Sequence, residues 1–295
     1  MKILLLGKNG QVGWELQRTL APLGEIVAPG RKELDLSEPD AIRSFVRSMK
    51  PDLVVNAAAY TAVDKAEEEP DLAMAINGIA PRIISEEATR CCAVLIHYST
   101  DYVFDGKKSA PYTEQDKPKP INIYGKTKLA GENAIREVGC SYLILRTSWI
   151  YGLRGDNFLL TIQRLATERS ELTIVNDQYG APTWSRMIAE ATAQMLVRLS
   201  LGDSSKIKGL YHLTAAGETT WFEFAEAILE LDQENRKGQH GPLLKAIKTE
   251  NYPTSAARPF YSVLDNSLVS EQFAVTMPGW REQLKLALNS RDGMN

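Results

Sequence analysis

The sequence is short of the residues on which several large classes of protein depend. Among 295 residues there are three cysteines and three histidines. The cysteines are Cys91, Cys92 and Cys140, an odd set with neither a disulfide framework nor the paired spacing of a zinc site. Cysteine used in this way is typical of a reducing compartment. We therefore expect a cytoplasmic protein without a metal site of its own.

Long apolar runs and a strong net charge are missing as well. No run approaches the ~20 apolar residues needed to cross a membrane, and the formal net charge is only −3. The apolar run that starts at Ile3 ends at Gly7, which is typical of a strand and too short for a signal peptide. Because so small a charge attracts neither nucleic acid nor anionic lipid, we expect no nucleic-acid and no membrane partner.

Short apolar runs that alternate with helical patterns are what the sequence does contain. The runs lie at residues 2–7, 25–30, 52–59, 93–100 and 141–152. Strands that are apolar along their whole length are typical of a parallel sheet with helices on both faces. The fold class predicted is therefore α/β, with a Rossmann-type doubly wound parallel sheet and a smaller mixed domain after it.

The alternation becomes less regular after about residue 150, which suggests a domain boundary. We expect residues 1–150 to form a dinucleotide-binding domain and residues 151–295 to form mainly a substrate-binding domain. Strands near 172–176 and 210–213 are expected to return to the first domain. The polar, glycine-containing segment at 234–242 is predicted to be a mobile loop.

Two local features of the helices are also predicted. Ser37 precedes Pro39 and Asp40 and is a candidate N-cap for the second helix. A helical pattern from about 70 to 89 contains Pro81, which predicts a kink or break at that point.

Three glycines between the first strand and the first helix indicate a phosphate-binding turn. Gly7, Gly10 and Gly13 form a G-x-x-G-x-x-G pattern. In such turns glycine permits a tight bend, close approach of the backbone to a pyrophosphate, and packing of the helix on the strand. The free N–H groups at the start of the helix then face the phosphates. The pattern therefore predicts a dinucleotide cofactor, with a purely structural turn as the alternative.

The segment around Tyr124 admits two interpretations. Gly125-Lys126-Thr127 resembles the end of a P-loop, but the glycine that a P-loop needs five positions earlier is replaced by Pro120. Tyr124 and Lys128, in contrast, lie four residues apart and share one face of a helix. A lysine ammonium about 4 Å from a phenol contributes roughly 4 kcal/mol at an effective dielectric near 20, enough to bring the phenol pKa close to neutrality. The pattern favours an acid–base pair, with Lys126 as a solvated helix residue.

Polar residues follow the fourth strand, where open α/β sheets bind their ligands. Ser99, Thr100 and Asp101 supply two hydroxyls and a carboxylate at that point. An ordinary polar turn is the alternative interpretation.

Together these features resemble the extended short-chain dehydrogenase/reductases, and more narrowly the dTDP-4-dehydrorhamnose reductase family. The resemblance runs from residue 1 to about 290. It is carried by the segments "GKNGQVGWEL", "VNAAAYTAVDKAE", "STDYVFDG", "YGKTKLAGE", "RTSWIYG", "NDQYGAPT" and "ARPFYSVLD".

The resemblance implies a chemistry and a set of site residues. A nicotinamide cofactor would deliver hydride to the C4 carbonyl of dTDP-4-dehydro-β-L-rhamnose and give dTDP-β-L-rhamnose. Tyr124 would donate the proton, Lys128 would hold the nicotinamide ribose and lower the pKa of the tyrosine, and Thr100 would hydrogen-bond near the carbonyl. Substrate contacts are expected at Thr100, Asp101 and Trp149. Cofactor contacts are expected at Gly7, Gly10, Gln11, Val12, Gly13, Asp35, Leu36, Ala59, Tyr60, Thr61, Tyr98, Tyr124 and Lys128.

The residues after the second strand predict the choice of cofactor. A carboxylate there would favour NADH, but the chain has Gly30, Arg31 and Lys32 instead. Arg31 can grip a 2′-phosphate with several donors. We therefore expect NADPH, with NADH as the alternative and with Asp35 close enough to contact the adenine or the ribose.

One departure from the family concerns metal and assembly. Some relatives are dimers bridged by Mg²⁺ through glutamates, and Glu15 matches the first such position. The later position falls on Arg186, which cannot ligate a cation. We therefore expect no Mg²⁺ bridge, and either a monomer or a weak homodimer.

Three other functions remain as alternatives. A dehydratase or epimerase of the same superfamily is one, although a dehydratase typically has glutamate where this chain has Tyr102 after Asp101. Another nucleotide-sugar 4-ketoreductase is the second. The third is a non-catalytic subunit resembling the regulatory β subunit of methionine adenosyltransferase, against which the intact Tyr124 and Lys128 pair argues.

Overall fold

The computed structural model describes residues 1–200, 208–232 and 241–292. The strands are β1 Lys2–Leu6, β2 Glu25–Val27, β3 Leu53–Asn56, β4 Val94–Thr100, β5 Ser141–Thr147, β6 Ile150–Tyr151, β7 Glu171–Val175, β8 Tyr179–Gly180, β9 Thr183–Trp184, β10 Lys208–His212, β11 Thr219–Thr220 and β12 Leu243–Ile247. The helices are α1 Gln11–Thr19, α2 Pro39–Met49, α3 Val63–Glu68, α4 Pro70–Met74, α5 Ala80–Cys91, α6 Ile123–Val138, α7 Phe158–Glu168, α8 Ser185–Ser200, α9 Trp221–Leu231, α10 Ser267–Phe273 and α11 Trp280–Asp292.

A six-stranded parallel sheet forms the centre of the molecule. Its strand order is β10-β5-β4-β3-β1-β2, so the order reverses between β1 and β3. This confirms the predicted α/β fold with a doubly wound sheet. In such sheets ligands bind outside the carboxyl ends of the strands, at the point where the order reverses.

Successive side chains of β1 enter the cores on opposite faces of the sheet. Ile3 and Leu5 pack into the core that also contains residues of α1 and α8. Leu4 and Leu6 pack into the core that contains residues of α2 and α5. Both sets are buried, which explains why this strand is apolar along its whole length instead of alternating with polar residues.

The later part of the chain contributes to this sheet through β10 and α8. β10 extends the sheet at the outer edge of β5. Ile188 and Met195 of α8 join Leu16 of α1 in one buried core. The central sheet and its core therefore include residues well beyond 150, and the division into two domains at about residue 150 stays a prediction.

The strand expected near 172–176 does not join the central sheet, which corrects the prediction. It is β7, and it pairs in parallel with β12 in a separate two-stranded sheet. Leu172 and Ile174 pack on one core, whereas Glu171 and Thr173, on the other face of the strand, are exposed. A strand that is apolar on one face only suits a small sheet packed on helices, and the central sheet needs both faces apolar. The core under β7 contains Leu172 and side chains of α7, α9 and α11.

The two local predictions have different outcomes. α2 begins at Pro39 with Glu38 as its N-cap, so Ser37 is not the cap. The Ser37 hydroxyl instead donates to Asp35 Oδ1 at 2.8 Å. The interruption near Pro81 is confirmed, since a π-helical turn at Ala75–Ile79 separates α4 from α5 and Pro81 lies in the first turn of α5. Proline cannot donate a backbone hydrogen bond, so a wider turn before it suits the helix.

The remaining observations concern the predicted loop at 234–242 and the possibility of a membrane-spanning helix. The predicted mobile loop at 234–242 lies largely outside the described residues, which leave out 233–240. Among the described helices, none has the length and apolar character required to span a membrane.

Candidate active site

A cleft of about 820 Å³ opens at the carboxyl ends of β1, β3, β4 and β5. A smaller pocket of about 210 Å³ adjoins it across the glycine turn and continues along the end of β2. The predicted residues that line the cleft are Gly7, Gly10, Gln11, Val12, Ala59, Thr61, Thr100, Asp101, Tyr124 and Trp149. Arg31, Asp35 and Leu36 line the smaller pocket.

The glycine turn is shaped by contacts that exclude side chains. Gly7 has φ +87°, and a Cβ there would lie 2.6 Å from the Ala58 nitrogen. A Cβ on Gly13 would lie 2.1 Å from the Gly7 oxygen. Gly10 is the N-cap of α1, and no side chain caps the helix there. The first N–H groups of α1 are therefore directed to the cleft without a competing side chain.

The smaller pocket contains two cations, each paired with a carboxylate. The Arg31 Nε lies 3.3 Å from Asp35 Oδ2, and the Arg31 side chain is 73% exposed. Lys8, which the sequence analysis missed, lies 3.3 Å from Glu33. Hydrogen bonds from Ser37 and then the Arg31 guanidinium hold the pKa of the Asp35 carboxyl below its usual range. Asp35 is therefore a charged group already engaged by the protein's own donors.

Two predicted cofactor residues direct their side chains elsewhere. The Tyr60 hydroxyl donates to Glu69 at 2.6 Å, and this bond raises the pKa of Tyr60 to about 12. The Tyr98 hydroxyl is buried against Thr192 of α8, at 2.7 Å. Neither residue lines the cleft. Their neighbours Ala59 and Ser99 do, whereas Gly13 and Lys128, which were also predicted as cofactor contacts, line neither pocket.

Tyr124 occupies the first turn of α6. The Asn122 side chain caps this helix by accepting from the Gly125 N–H at 2.7 Å. A Cβ on Gly125 would lie 2.1 Å from the Tyr102 oxygen, so glycine lets the helix start pack closely on the segment after β4. This packing places the Tyr124 ring against Tyr102, with ring centroids 5.6 Å apart, and both residues line the cleft together with Thr100.

The pKa of Tyr124 is raised in this structure, contrary to the expectation that Lys128 lowers it. Burial is the main cause, and the hydrogen bond with Thr100 offsets part of the effect. Removal from water disfavours a phenolate unless a positive charge faces it directly. Tyr124 is therefore a protonated phenol at neutral pH.

Lys128 lies one helical turn after Tyr124 and is almost fully buried, at 2% exposure. Its ammonium group donates to the Tyr98 carbonyl at 2.6 Å and lies 3.3 Å from His97 Nε2. Burial lowers the pKa of Lys128 to about 8, opposed by the charge of Glu132. Lys126, two residues earlier, is exposed, in agreement with the interpretation as a solvated helix residue.

A buried ion pair joins α6 to the central sheet. Arg146 of β5 donates to both carboxylate oxygens of Glu132, at 2.9 and 2.7 Å. The Ser99 hydroxyl donates to the same carboxylate. The sequence analysis missed this pair, because Glu132 and Arg146 meet only when α6 packs on the sheet.

The side of the cleft opposite the glycine turn contains another charged residue that the sequence analysis missed, Arg258. Arg258 donates to Asp64 at 2.8 Å, and its Nε is buried without a hydrogen-bond partner in the described part of the chain. Asp101 is 2% exposed, and burial raises the pKa of its carboxyl to about 6. One Asp101 oxygen accepts from the Thr100 hydroxyl at 3.0 Å.

Trp149 borders the cleft in a fixed position. Its backbone has φ +45°, which breaks the predicted strand at 141–152 into β5 and β6. The indole stacks on Trp221 with ring centroids 3.6 Å apart, and Trp221 Nε1 donates to Gln178 at 3.2 Å. A Cβ on Gly180 would lie 2.3 Å from the Trp149 ring. The indole is therefore held between a tryptophan and a glycine.

Glu15 and Arg186, the two positions compared with a metal bridge, form an ion pair at 3.3 Å. Within residues 1–200, 208–232 and 241–292, no group of three or more histidine, cysteine or acidic residues could hold a metal ion.

A tyrosine and a lysine one helical turn apart, beside a glycine turn at the reversal point of a parallel sheet, define an extended short-chain dehydrogenase/reductase. The sequence matches the RmlD substrate binding domain family over residues 1–292. The chain therefore belongs to the RmlD family, whose curated relatives carry the name dTDP-4-dehydrorhamnose reductase.

Two curated relatives illustrate the similarity. The chain is 47% identical to the dTDP-4-dehydrorhamnose reductase of Escherichia coli K12, over 98% of this chain and 97% of the relative. It is 46% identical to the enzyme of that name from Burkholderia thailandensis, over 98% of each chain.

Solved structures agree with this assignment. A dTDP-4-dehydrorhamnose reductase from Clostridium acetobutylicum superposes with a TM-score of 0.91 at 36% identity, covering 99% of this chain and 100% of that one. One from Bacillus anthracis, in complex with NADP, gives 0.87 at 36% identity, covering 98% and 99%. A UDP-glucose 4-epimerase from Thermus thermophilus, at 19% identity and a TM-score of 0.80, shares the fold.

Proposed function

We propose that the protein reduces the C4 carbonyl of dTDP-4-dehydro-β-L-rhamnose to a hydroxyl with NADPH as the hydride donor, giving dTDP-β-L-rhamnose. The observation that carries the proposal is that Tyr124 and Thr100 line the same cleft at the carboxyl ends of the parallel strands, beside the glycine turn. The names of the relatives support the substrate, and the NADP complex of the Bacillus anthracis protein supports the cofactor.

The cofactor fits the side of the cleft that the glycine turn builds. The free N–H groups at the start of α1 would hold its pyrophosphate, and Lys128 would hold the nicotinamide ribose. Bound there, the cofactor supplies the hydride. The adjoining pocket with Arg31 and Lys8 would take the adenosine end, and its two cations favour a 2′-phosphate.

Tyr124 is the proton donor in this proposal. A developing alkoxide needs a proton, and a phenol that is still protonated at neutral pH can give one. The hydroxyl of Thr100, which donates to Asp101 in this structure, would turn to donate to the same oxygen and orient it toward Tyr124. The Lys128 ammonium would stabilise the phenolate that remains, which it can do only while it is charged.

The opposite side of the cleft would hold the sugar nucleotide. Trp149 offers an indole whose position is fixed by Trp221, and Asp101 offers a buried carboxyl beside Thr100. The unsatisfied Nε of Arg258 suits the diphosphate, because a buried guanidinium N–H gains most from an anionic acceptor.

The compartment and the assembly state are inferred from the cysteine pattern and from one ion pair. We place the reaction in the cytoplasm, because the cysteine pattern suits a reducing compartment. The Glu15–Arg186 ion pair supports an assembly without a cation bridge, either a monomer or a weak homodimer.

The loss of NADPH absorbance with dTDP-4-dehydrorhamnose as substrate tests the proposal. We expect turnover by the purified full chain and a product that co-elutes with dTDP-rhamnose. Binding of NADPH without turnover would instead favour a non-catalytic regulatory subunit. Faster turnover of a 4-keto sugar carried on another nucleotide would favour a different ketoreductase.

A further inference from the structure

A row of buried polar side chains runs from β3 through β4 to α6. Asn56, His97 and Lys128 come from β3, β4 and α6 and are exposed by 1%, 0% and 2%. The Asn56 amide nitrogen lies 3.1 Å from His97 Nδ1. His97 Nε2 lies 3.3 Å from Lys128 Nζ. The row therefore connects the end of β3 with the lysine of the site through the imidazole of His97.

The backbone fixes the orientation of the Asn56 amide. The Ala58 N–H donates to Asn56 Oδ1 at 3.2 Å. Rotating the amide by half a turn would place its NH₂ group against the Ala58 N–H, donor against donor. The NH₂ group of Asn56 therefore faces His97 and donates to Nδ1.

This orientation determines the tautomer of His97. Burial keeps the pKa of the imidazole well below its ordinary value, so the ring is neutral. A neutral imidazole has one N–H and one acceptor nitrogen. Because Nδ1 accepts from Asn56, the proton lies on Nε2 and points at Lys128.

An Nε2–H group facing Lys128 affects the proton affinity of the lysine. An ammonium group has three donors and no acceptor, so the charged lysine meets the N–H as donor against donor. A neutral amine can accept from His97 and still donate to the Tyr98 carbonyl, 2.6 Å away. The contact therefore favours the neutral amine.

The other groups that face Lys128 only partly oppose this effect. Glu132 lies one turn further along α6 and favours the ammonium, but both its oxygens accept from Arg146 of β5. Tyr124 lies one turn earlier and is a neutral phenol. The pKa of Lys128, lowered to about 8 by burial, agrees with this balance.

We propose that His97, held as the Nε2–H tautomer by Asn56, is a positioning residue that sets the proton affinity of Lys128 and so the upper pH limit of the reaction. This inference rests on the proposed function, in which the charged lysine stabilises the Tyr124 phenolate. Activity then falls as pH rises through the pKa of Lys128. Replacing the N–H of His97 with an acceptor raises that pKa and moves the fall to higher pH.

The tautomer is measured first, on the full-length protein without substrate. Nitrogen-15 NMR of labelled histidine distinguishes the two tautomers, and the His97→Gln variant identifies the His97 signals by their loss. We expect a proton on Nε2 and none on Nδ1. A proton on Nδ1 overturns the proposal, whatever the protein catalyses.

The lysine is measured second, by titrating its ¹³Cε signal. In His97→Gln the amide oxygen can face Lys128, and one hydrogen bond to a charged group corresponds to a rise of about one pKa unit. The alkaline limit of kcat should move upward by the same amount. The matched control is His212→Gln, which removes another buried histidine whose Nδ1 contacts the Tyr112 carbonyl instead. An unchanged Lys128 pKa in His97→Gln, or an equal shift in the control, overturns the proposal.

A second variant covers the case in which His97→Gln does not fold. Asn56→Asp keeps an acceptor for the Ala58 N–H but presents a carboxylate oxygen to Nδ1. The proton of His97 should then move to Nδ1, and the Lys128 pKa should rise. A proton on Nε2 with none on Nδ1 in this variant contradicts the proposal. Both NMR readouts are independent of turnover, so a failure of the proposed reaction is distinguished from a failure of this inference.

Discussion

The two sides of the cleft are built in different ways. The side that we propose for the cofactor is formed by short segments at or just after the ends of β1, β3 and β4. The substrate side combines Trp149, Gly180, Trp221 and Arg258, which come from separate parts of the last half of the chain. The first side is local in sequence, and the second exists only after the chain has folded.

The difference extends to the chemistry of the two sides. Backbone N–H groups and close glycine contacts shape the cofactor side, so its geometry follows from the main chain. Stacked indoles and a partly satisfied guanidinium shape the substrate side, so its geometry depends on side-chain packing. Substitutions should therefore affect cofactor binding and sugar binding separately, and the residues between the two sides should affect catalysis alone.

The largest effect is expected from Tyr124→Phe, at the junction of the two sides. The substitution removes the proton donor and leaves the ring, so kcat should fall by ~10²-fold or more while the dissociation constant of NADPH stays unchanged. Steady-state kinetics and a fluorescence titration of NADPH measure both quantities. Lys126→Ala, at an exposed position on the same helix, is the control and should be nearly silent. An unaltered kcat in Tyr124→Phe would remove Tyr124 from the mechanism.

Gly180→Ala should weaken binding of the sugar nucleotide without weakening binding of the cofactor. The new Cβ would lie 2.3 Å from the Trp149 ring, which cannot retreat because Trp221 covers its other side. Overpacking of this kind costs on the order of 1–3 kcal/mol, so KM for the sugar nucleotide should rise about tenfold.

The same variant should bind NADPH as the wild type does. Gly279→Ala is the matched control, since a Cβ there would lie 3.9 Å from the Ala216 oxygen, which is an ordinary contact. Equal weakening of NADPH and of the sugar nucleotide would show that the two sides are not independent.

Arg31→Ala tests whether the cofactor side determines the preference for NADPH over NADH. We expect wild type to prefer NADPH over NADH by ~10-fold in kcat/KM, which corresponds to about 1.4 kcal/mol. The variant should lose most of this preference without a change in KM for the sugar. Because the Arg31 side chain is largely exposed, added salt should reduce the preference of the wild type. If the ratio of kcat/KM with NADPH to kcat/KM with NADH stays unchanged in the variant, another residue binds the 2′-phosphate, and Lys8 is the next to test.

An effect of similar size, on stability instead of activity, is expected from the pH dependence of unfolding. The pKa of the Asp101 carboxyl is raised from 3.8 to about 6, so the folded protein keeps this proton to higher pH than the unfolded chain. The stability that this proton contributes is complete below the unfolded pKa and is lost as pH rises through about 6.

Denaturant unfolding of wild type and Asp101→Asn at about pH 5 and about pH 8 measures this contribution. The wild type should lose about 1.4 kcal/mol more than the variant over that interval, because asparagine does not ionise. A parallel loss in both proteins would show that Asp101 titrates normally in the folded state.

The sequence predicted part of the cleft lining, for physical reasons. Thr100, Asp101 and Trp149, the three expected substrate contacts, all line the cleft, whereas the expected cofactor contacts Tyr60, Tyr98 and Lys128 do not. The glycine turn and the Tyr124–Lys128 spacing are local patterns that α1 and α6 convert directly into geometry. The Arg258 guanidinium reaches the cleft from a distant segment, and no local pattern indicates it. The side chains of Tyr60 and Tyr98 turn away from the cleft because Glu69 and Thr192 bind their hydroxyls, which are again contacts between distant segments.

Contacts between distant segments also limited what could be predicted for the second half of the chain. β7 differs from the strands of the central sheet in having one polar face, yet its partner β12 lies about seventy residues further along the chain. The break at Trp149 is also absent from the pattern, since the residues on both sides of it have strand character. Pairing and backbone direction here depend on packing that only the folded chain provides.

The transfer of deuterium from the cofactor to the sugar tests the central claim most directly. The full-length protein is incubated with dTDP-4-dehydrorhamnose and NADPH that carries deuterium at both positions of nicotinamide C4, and the product is analysed by NMR and mass spectrometry. The account predicts one deuterium per product molecule, located at C4 of the sugar. Product without deuterium at C4, or oxidation of NADPH without a reduced sugar, would contradict it.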